Sequence, residues 1–256
     1  MLFGLPTNPA KNLVEEIRKI KEWEFDFVEI SIETPLKKIS KRIQKEITVF
    51  KLITVHLPWG AEIASPFEHV RKSWVEECKK IIENFMKIEA NIFTIHPYFR
   101  PFPGCEEKRT RKNLLEQATK SLAELSDFTS EHGITLCVEN ILPPQLSDIE
   151  DLKEMFDNIK SLKMTLDIGH AYIKGGIKEI EELAKKFKRR IIHLHVHDNN
   201  GKVDEHLPLG VGTINFKGIA KTIKQLKNCK TVVLEIHRGR GEHILLSRKL
   251  LEEIWC

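Results

Sequence analysis

The chain has 256 residues, of which 41% are hydrophobic and 30% charged, with a formal net charge of +4. That length suits one large core or two small ones, and the modest positive balance admits an anionic substrate without requiring nucleic acid. The opening residues, MLFGLPTNPAKNLVEE, carry no apolar leader, and no run approaches the length of a membrane span, so the expectation is an unanchored cytoplasmic protein. Five cysteines, an odd count without a CxxC pair, read as free thiols in a reducing compartment.

Taken in order, short β-branched runs alternate with longer amphipathic segments. Strands are predicted at 2–6 (LFGLP), 25–31 (FDFVEIS), 52–58 (LITVHLP), 91–97 (NIFTIHP), 134–140 (ITLCVEN), 163–169 (KMTLDIG), 190–198 (RIIHLHVHD) and 231–237 (TVVLEIH). After the third strand, Val70, Trp74, Val75, Cys78, Ile81, Ile82 and Phe85 recur at the spacing of one helix face. The segment after the fourth strand is also helical and stops at Gly133. After the fifth, Ser147 or Asp148 is the expected N-cap of a further helix.

Eight strand–helix units in about 250 residues fit an α/β fold of the (β/α)8 TIM-barrel type, with a doubly wound open sheet as the competitor. No composition shift or linker divides the chain, so residues 1–256 are read as a single domain. The longest irregular stretches, 97–108 and 198–215, both follow strands, on the face where such barrels carry their sites.

The strand ends concentrate chemistry. The third ends at His56, the fourth at His96, the fifth at Glu139 and the sixth at Asp167, with His170 close behind. The seventh carries His193, His195 and His197 at a period of two, which turns all three to one face, and the eighth ends at Glu235. In a closed barrel these ends ring one mouth. Carboxylates gathered there would repel one another, and a divalent cation removes that repulsion. Mixed imidazole and carboxylate donors suit Zn²⁺, Mn²⁺, Fe²⁺ or Co²⁺. Glu139, Asp167, His195 and Glu235 are the expected common ligands. His193 is expected deeper in the barrel, and His69, His132, His237 and His243 are read as structural or solvated.

The segments VHLPWGAEIASP (55–66), IHP (95–97), VEN (138–140), LDIGHA (166–171), HVHDNNGKVDEHLPLGVGTI (195–214) and LEIH (234–237) together resemble the xylose-isomerase-like TIM-barrel superfamily, which includes sugar isomerases and epimerases as well as endonuclease IV. Resemblance to the isomerase branch implies one Mn²⁺-type ion on Glu139, Asp167, His195 and Glu235. It also implies proton transfer through an enediolate by Glu139 and Glu235, and a carbohydrate or sugar phosphate as the partner. His170, His197 and Arg238 are the expected substrate contacts. Resemblance to endonuclease IV implies three zinc ions: His56 and His96 with Glu139 bridging, then Asp167, His195 and Glu235, then His170, Asp204 and His206. Only that reading brings nucleic acid in as a partner. Against it stand the first strand, LFGLPTNP, the His197 that fills a place where that branch has Asn, and the modest charge. Substrate, metal identity and oligomeric state stay open.

Overall fold

The computed structural model describes residues 1–34 and 39–255. Eight parallel strands close into a barrel in sequence order, β1 pairing with β8. They are β1 (Leu2–Pro6), β2 (Phe27–Ser31), β3 (Leu52–His56), β4 (Ile92–Ile95), β5 (Thr135–Glu139), β6 (Lys163–Asp167), β7 (Ile191–Val196) and β8 (Thr231–Leu234). The helices are α1 (Leu13–Glu22), α2 (Lys41–Ile47), α3 (Glu68–Met86), α4 (Lys108–Glu131), α5 (Ile149–Asn158), α6 (Ile168–Lys186), α7 (Ala220–Lys224) and α8 (Gly241–Trp255). The expected (β/α)8 architecture is therefore present, and the open sheet is excluded by the β1–β8 pairing. No helix among the described residues is long and apolar enough to cross a membrane.

Local chemistry sets the helix ends. Asn12 caps α1 by accepting the N–H groups of Val14 and Glu15. Asp148, rather than Ser147, is the N-cap of α5; the Ser147 hydroxyl donates instead to the Ile141 carbonyl. Past α4, Gly133 takes φ +68°, the left-handed turn that ends a helix. On α3, Val75, Cys78, Ile81, Ile82 and Phe85 are buried as their spacing requires, but Arg71 is buried beside them. Its guanidinium reaches Glu68, Glu124 and Ser121 at 2.9 Å each, which makes its burial tolerable.

Alternation along the strands divides two environments. Outward residues such as Val28, Ile30, Phe93, Val138, Leu166, Leu194 and Val232 are buried under the helices. The inward positions hold an unusually polar set. Thr94 and Thr165 meet across the barrel, Oγ1 to Oγ1 at 2.8 Å. Thr54 donates to Glu29 at 3.0 Å, and His193 lies 3.1 Å from the same carboxylate oxygen. This polar interior leads upward to the strand ends.

Candidate metal centre at the barrel mouth

The register places β5, β6, β7 and β8 side by side, with Asp167 paired to His195 and His195 to Val233. Glu139 and Asp167 end their strands, His195 lies one residue before the end of β7, and Glu235 follows β8. Asn140 ties two of these ends together: its side chain donates to the Asp167 carbonyl at 2.9 Å and accepts the Asp167 N–H at 2.8 Å. Glu139, Asp167, His195 and Glu235 each bring a donor atom within 4.8 Å of the others. His195 Nδ1 lies 3.2 Å from both Glu139 Oε2 and Glu235 Oε1. Asp167 Oδ2 and both His195 nitrogens are buried without a hydrogen-bond partner among the described residues.

The remaining expected ligands surround this centre. His56 Nε2 is 3.2 Å, and His96 Nε2 3.4 Å, from Glu139 Oε2. His56 Nδ1 lies 2.7 Å from the Leu57 carbonyl; a carbonyl only accepts, so the hydrogen sits on Nδ1 and Nε2 faces inward. His170 Nδ1 is 3.4 Å from Glu139 and 3.5 Å from Asp167, while its Nε2 is 3.3 Å from Asp204. His206 Nε2 is 3.1 Å from Asp204. All nine candidate ligands therefore converge on one mouth.

His197 and Arg238 sit differently. His197 is wholly buried, stacked on His206 with centroids 3.9 Å apart. Arg238 is exposed past β8, and its backbone N–H reaches the His206 carbonyl at 3.4 Å. Neither borders the open cavity of about 770 Å³ above the centre, whose walls include Thr7, Ser31, Glu33, Trp59 and His237. As expected, His193 lies deeper, and His69, His132 and His243 are exposed. His237, read as structural or solvated, stacks on His206 at 4.2 Å.

Electrostatics match this convergence. Burial alone would raise the Glu139 carboxyl, but the positive charges of His195 and His96, with His170 close by, hold it well below the carboxylate range. Burial lowers His56 and His206, yet Glu139 raises the first and Asp204 the second, each to about 9. Imidazoles and carboxylates here compensate one another, and a divalent cation can take the place of the imidazole protons. The orphaned buried donors and the oxygen-and-nitrogen ligand set fit such an ion.

Two groups escaped the sequence reading. Glu29, midway along β2, is fully buried, and its Oε1 lies 3.2 Å from His195 Nε2, beneath the centre. A glutamate at an inward position of an otherwise apolar strand was the available signal. Asp198, buried just past β7, accepts the N–H groups of Asn199, Gly210, Gly212 and Ile214 at 2.8–3.1 Å and shapes the following loop.

A family model described as the xylose isomerase-like TIM barrel matches residues 17–254. The chain belongs to that family. An uncharacterised protein of Methanocaldococcus jannaschii is 31% identical over 95% of this chain and 85% of its own. A probable endonuclease 4 of Aquifex aeolicus is 24% identical over 87% and 86%. Among solved structures, a D-tagatose 3-epimerase-like protein superposes with a TM-score of 0.85 at 28% identity, covering 99% of this chain and 97% of the other.

Proposed function

We propose that the protein is a divalent-metal-dependent isomerase or epimerase of a sugar or sugar phosphate. The observation that carries this reading is the meeting of two glutamates at one point: Glu139 and Glu235 both reach the same nitrogen of His195 at 3.2 Å, with Asp167 completing the set. The family membership and the epimerase-like structural relative support it. The cavity volume of about 770 Å³ lies within the range of small-molecule sites.

An Mn²⁺- or Zn²⁺-type ion on Glu139, Asp167, His195 and Glu235 would supply Lewis acidity toward a carbonyl oxygen of the substrate. The protein groups do the rest. One of Glu139 and Glu235 takes the proton from the carbon beside the carbonyl, and the other delivers a proton to the resulting enediolate. Glu33, half-buried beside His56, offers an acceptor for a sugar hydroxyl. Trp59, 56% exposed on the cavity wall, offers an apolar face for ring C–H groups.

The test is exchange of solvent deuterium into a panel of ketoses and their phosphates. The metal-loaded protein should catalyse exchange with at least one member, and Glu139→Gln should lose about 10²–10⁴-fold of that rate while staying folded. Full exchange in that variant removes the assignment.

A second reading, cleavage of DNA at abasic sites with three zinc ions, is favoured by one observation: His56, His96, His170, Asp204 and His206 join the other four ligands at the mouth. The Aquifex relative supports it. Zinc-dependent nicking of a duplex carrying an abasic analogue, without exchange into any sugar, would establish this reading over the first.

A further inference from the structure

Below the centre, the barrel holds a buried polar chain that the proposed chemistry does not use. Glu29, Thr54, His193 and His195 are each 0% exposed. The Glu29 carboxylate lies between the two histidines. Its Oε2 accepts the Thr54 hydroxyl at 3.0 Å and lies 3.1 Å from His193 Nε2. An ionised carboxylate only accepts, so His193 carries a hydrogen on Nε2. On the other side of that ring, Nδ1 is 2.6 Å from Thr231 Oγ1. The Thr231 hydroxyl is free to donate there, because the Ile192 carbonyl that it also faces, at 3.2 Å, receives the Lys230 N–H as well. Oε2 of Glu29 thus has two donors. Oε1 has none: it lies 3.2 Å from His195 Nε2, and neither atom has an aligned hydrogen-bond partner among the described residues.

We propose that Glu29 is a positioning residue that fixes which nitrogen of His195 binds metal, and that Thr54 and His193 hold its carboxylate for that task. The role rests on the metal centre proposed above. Two donors on Oε2 favour the ionised carboxylate and leave Oε1 as the acceptor for a hydrogen on His195 Nε2. A neutral imidazole has one N–H. Held on Nε2, it leaves the lone pair on Nδ1, the nitrogen 3.2 Å from both Glu139 and Glu235. The opposite tautomer would aim an N–H at the cation. The approach of Oε1 to Nε2 is close but off the hydrogen-bond line, and a turn of the imidazole ring, whose χ2 well is broad, aligns it.

The carboxylate comes from β2 and is gripped from two other strands, by Thr54 of β3 and His193 of β7, with Thr231 of β8 behind that ring. At this depth an acceptor left empty is costly, and His195 Nε2 is the donor within reach of Oε1. A carboxylate behind a metal-bound imidazole also raises the basicity of the ring.

The test uses the full-length protein with nitrogen-labelled histidine, loaded with an NMR-active cadmium isotope and no substrate. Spin coupling to the ion should appear on Nδ1 of His195, and Nε2 should keep a hydrogen that the carboxylate shifts far downfield. Glu29→Gln has the same shape. It should move that hydrogen resonance upfield, speed its exchange with solvent and weaken cadmium binding by about 10–100-fold. Thr54→Val leaves Glu29 and His195 in place and should move the same resonance in the same direction by a smaller amount. A purely structural role would lower the Tm of each variant and leave the resonance where it is. Coupling on Nε2, or an unmoved Nε2 hydrogen in either variant, overturns the proposal and leaves the metal centre standing. Cadmium that binds with no coupling to His195 removes the metal centre itself, and this role with it.

Discussion

Replacing Gly169 with alanine sets two expectations of opposite sign against each other. The residue lies in the first turn of α6 with φ outside the left-handed range, so its backbone accepts alanine. Helix propensity alone predicts a gain of about 1 kcal/mol. The new Cβ, however, would stand 2.1, 2.2 and 2.6 Å from Cε1, Nε2 and Nδ1 of His197. That ring is fully buried and stacked on His206, so moving it disturbs a second ring. Overpacking of this kind costs about 1–3 kcal/mol, and this overlap belongs at the upper end. The net expectation is destabilisation of about 2 kcal/mol, or a fall in Tm of about 4–8 °C at about 2–4 °C per kcal/mol for a chain of this size. Calorimetry in the presence of chelator measures the packing effect without a metal contribution. A variant as stable as the parent, or more stable, refutes the argument that glycine at 169 exists to seat His197.

Glu29→Gln removes the carboxylate facing Nε2 of His195 and should weaken metal binding by about 10–100-fold in chelator competition; unchanged affinity would show that Glu29 does not orient that ring. Asp198→Ala strands four N–H donors and should cost about 3 kcal/mol while opening residues 199–214 to limited proteolysis. An unchanged cleavage pattern would place the control of that loop elsewhere. For metal-stripped protein, His56 and His206 are raised from 6.5 to about 9 in the folded state, so their stabilisation is complete below about pH 6.5 and is lost as pH rises through 9. Glu29 and Glu139 are depressed well below 4.5, so their contribution is present above that pH and is lost in acid. The Tm should therefore peak between about pH 5 and 6.5 and decline toward 9.5. Saturating zinc should reverse that decline because it displaces the imidazole protons. A flat profile for the stripped protein contradicts the assigned pairings.

Much of the mouth was legible from linear order. Glu139, Asp167, His195 and Glu235 announce themselves because a parallel strand ends in a side chain whose direction follows from a period of two. A barrel then brings such ends together whatever their separation in sequence. His56 and His96 follow the same logic. Glu29 did not, since one acidic residue in FVEIS reads equally as a solvated alternate; only the closed interior puts it under His195. The Asp204 and His206 pair lies in a loop without periodicity, so its approach to His170 depended on where the chain turned.

By itself, then, the sequence determined the succession of strands and helices, the inward or outward sense of the residues at the ends of β5 to β8 and the set of donors gathered there. All of these follow from local geometry and the alternation of apolar and polar side chains. Tertiary structure alone decided which groups far apart in the chain keep company. It set Glu29 below the centre, buried His197 beside Gly169 and folded the loop after β7 so that Asp204 faces three imidazoles. Those outcomes depend on barrel closure and on contacts between residues far apart in the chain, which no local pattern encodes.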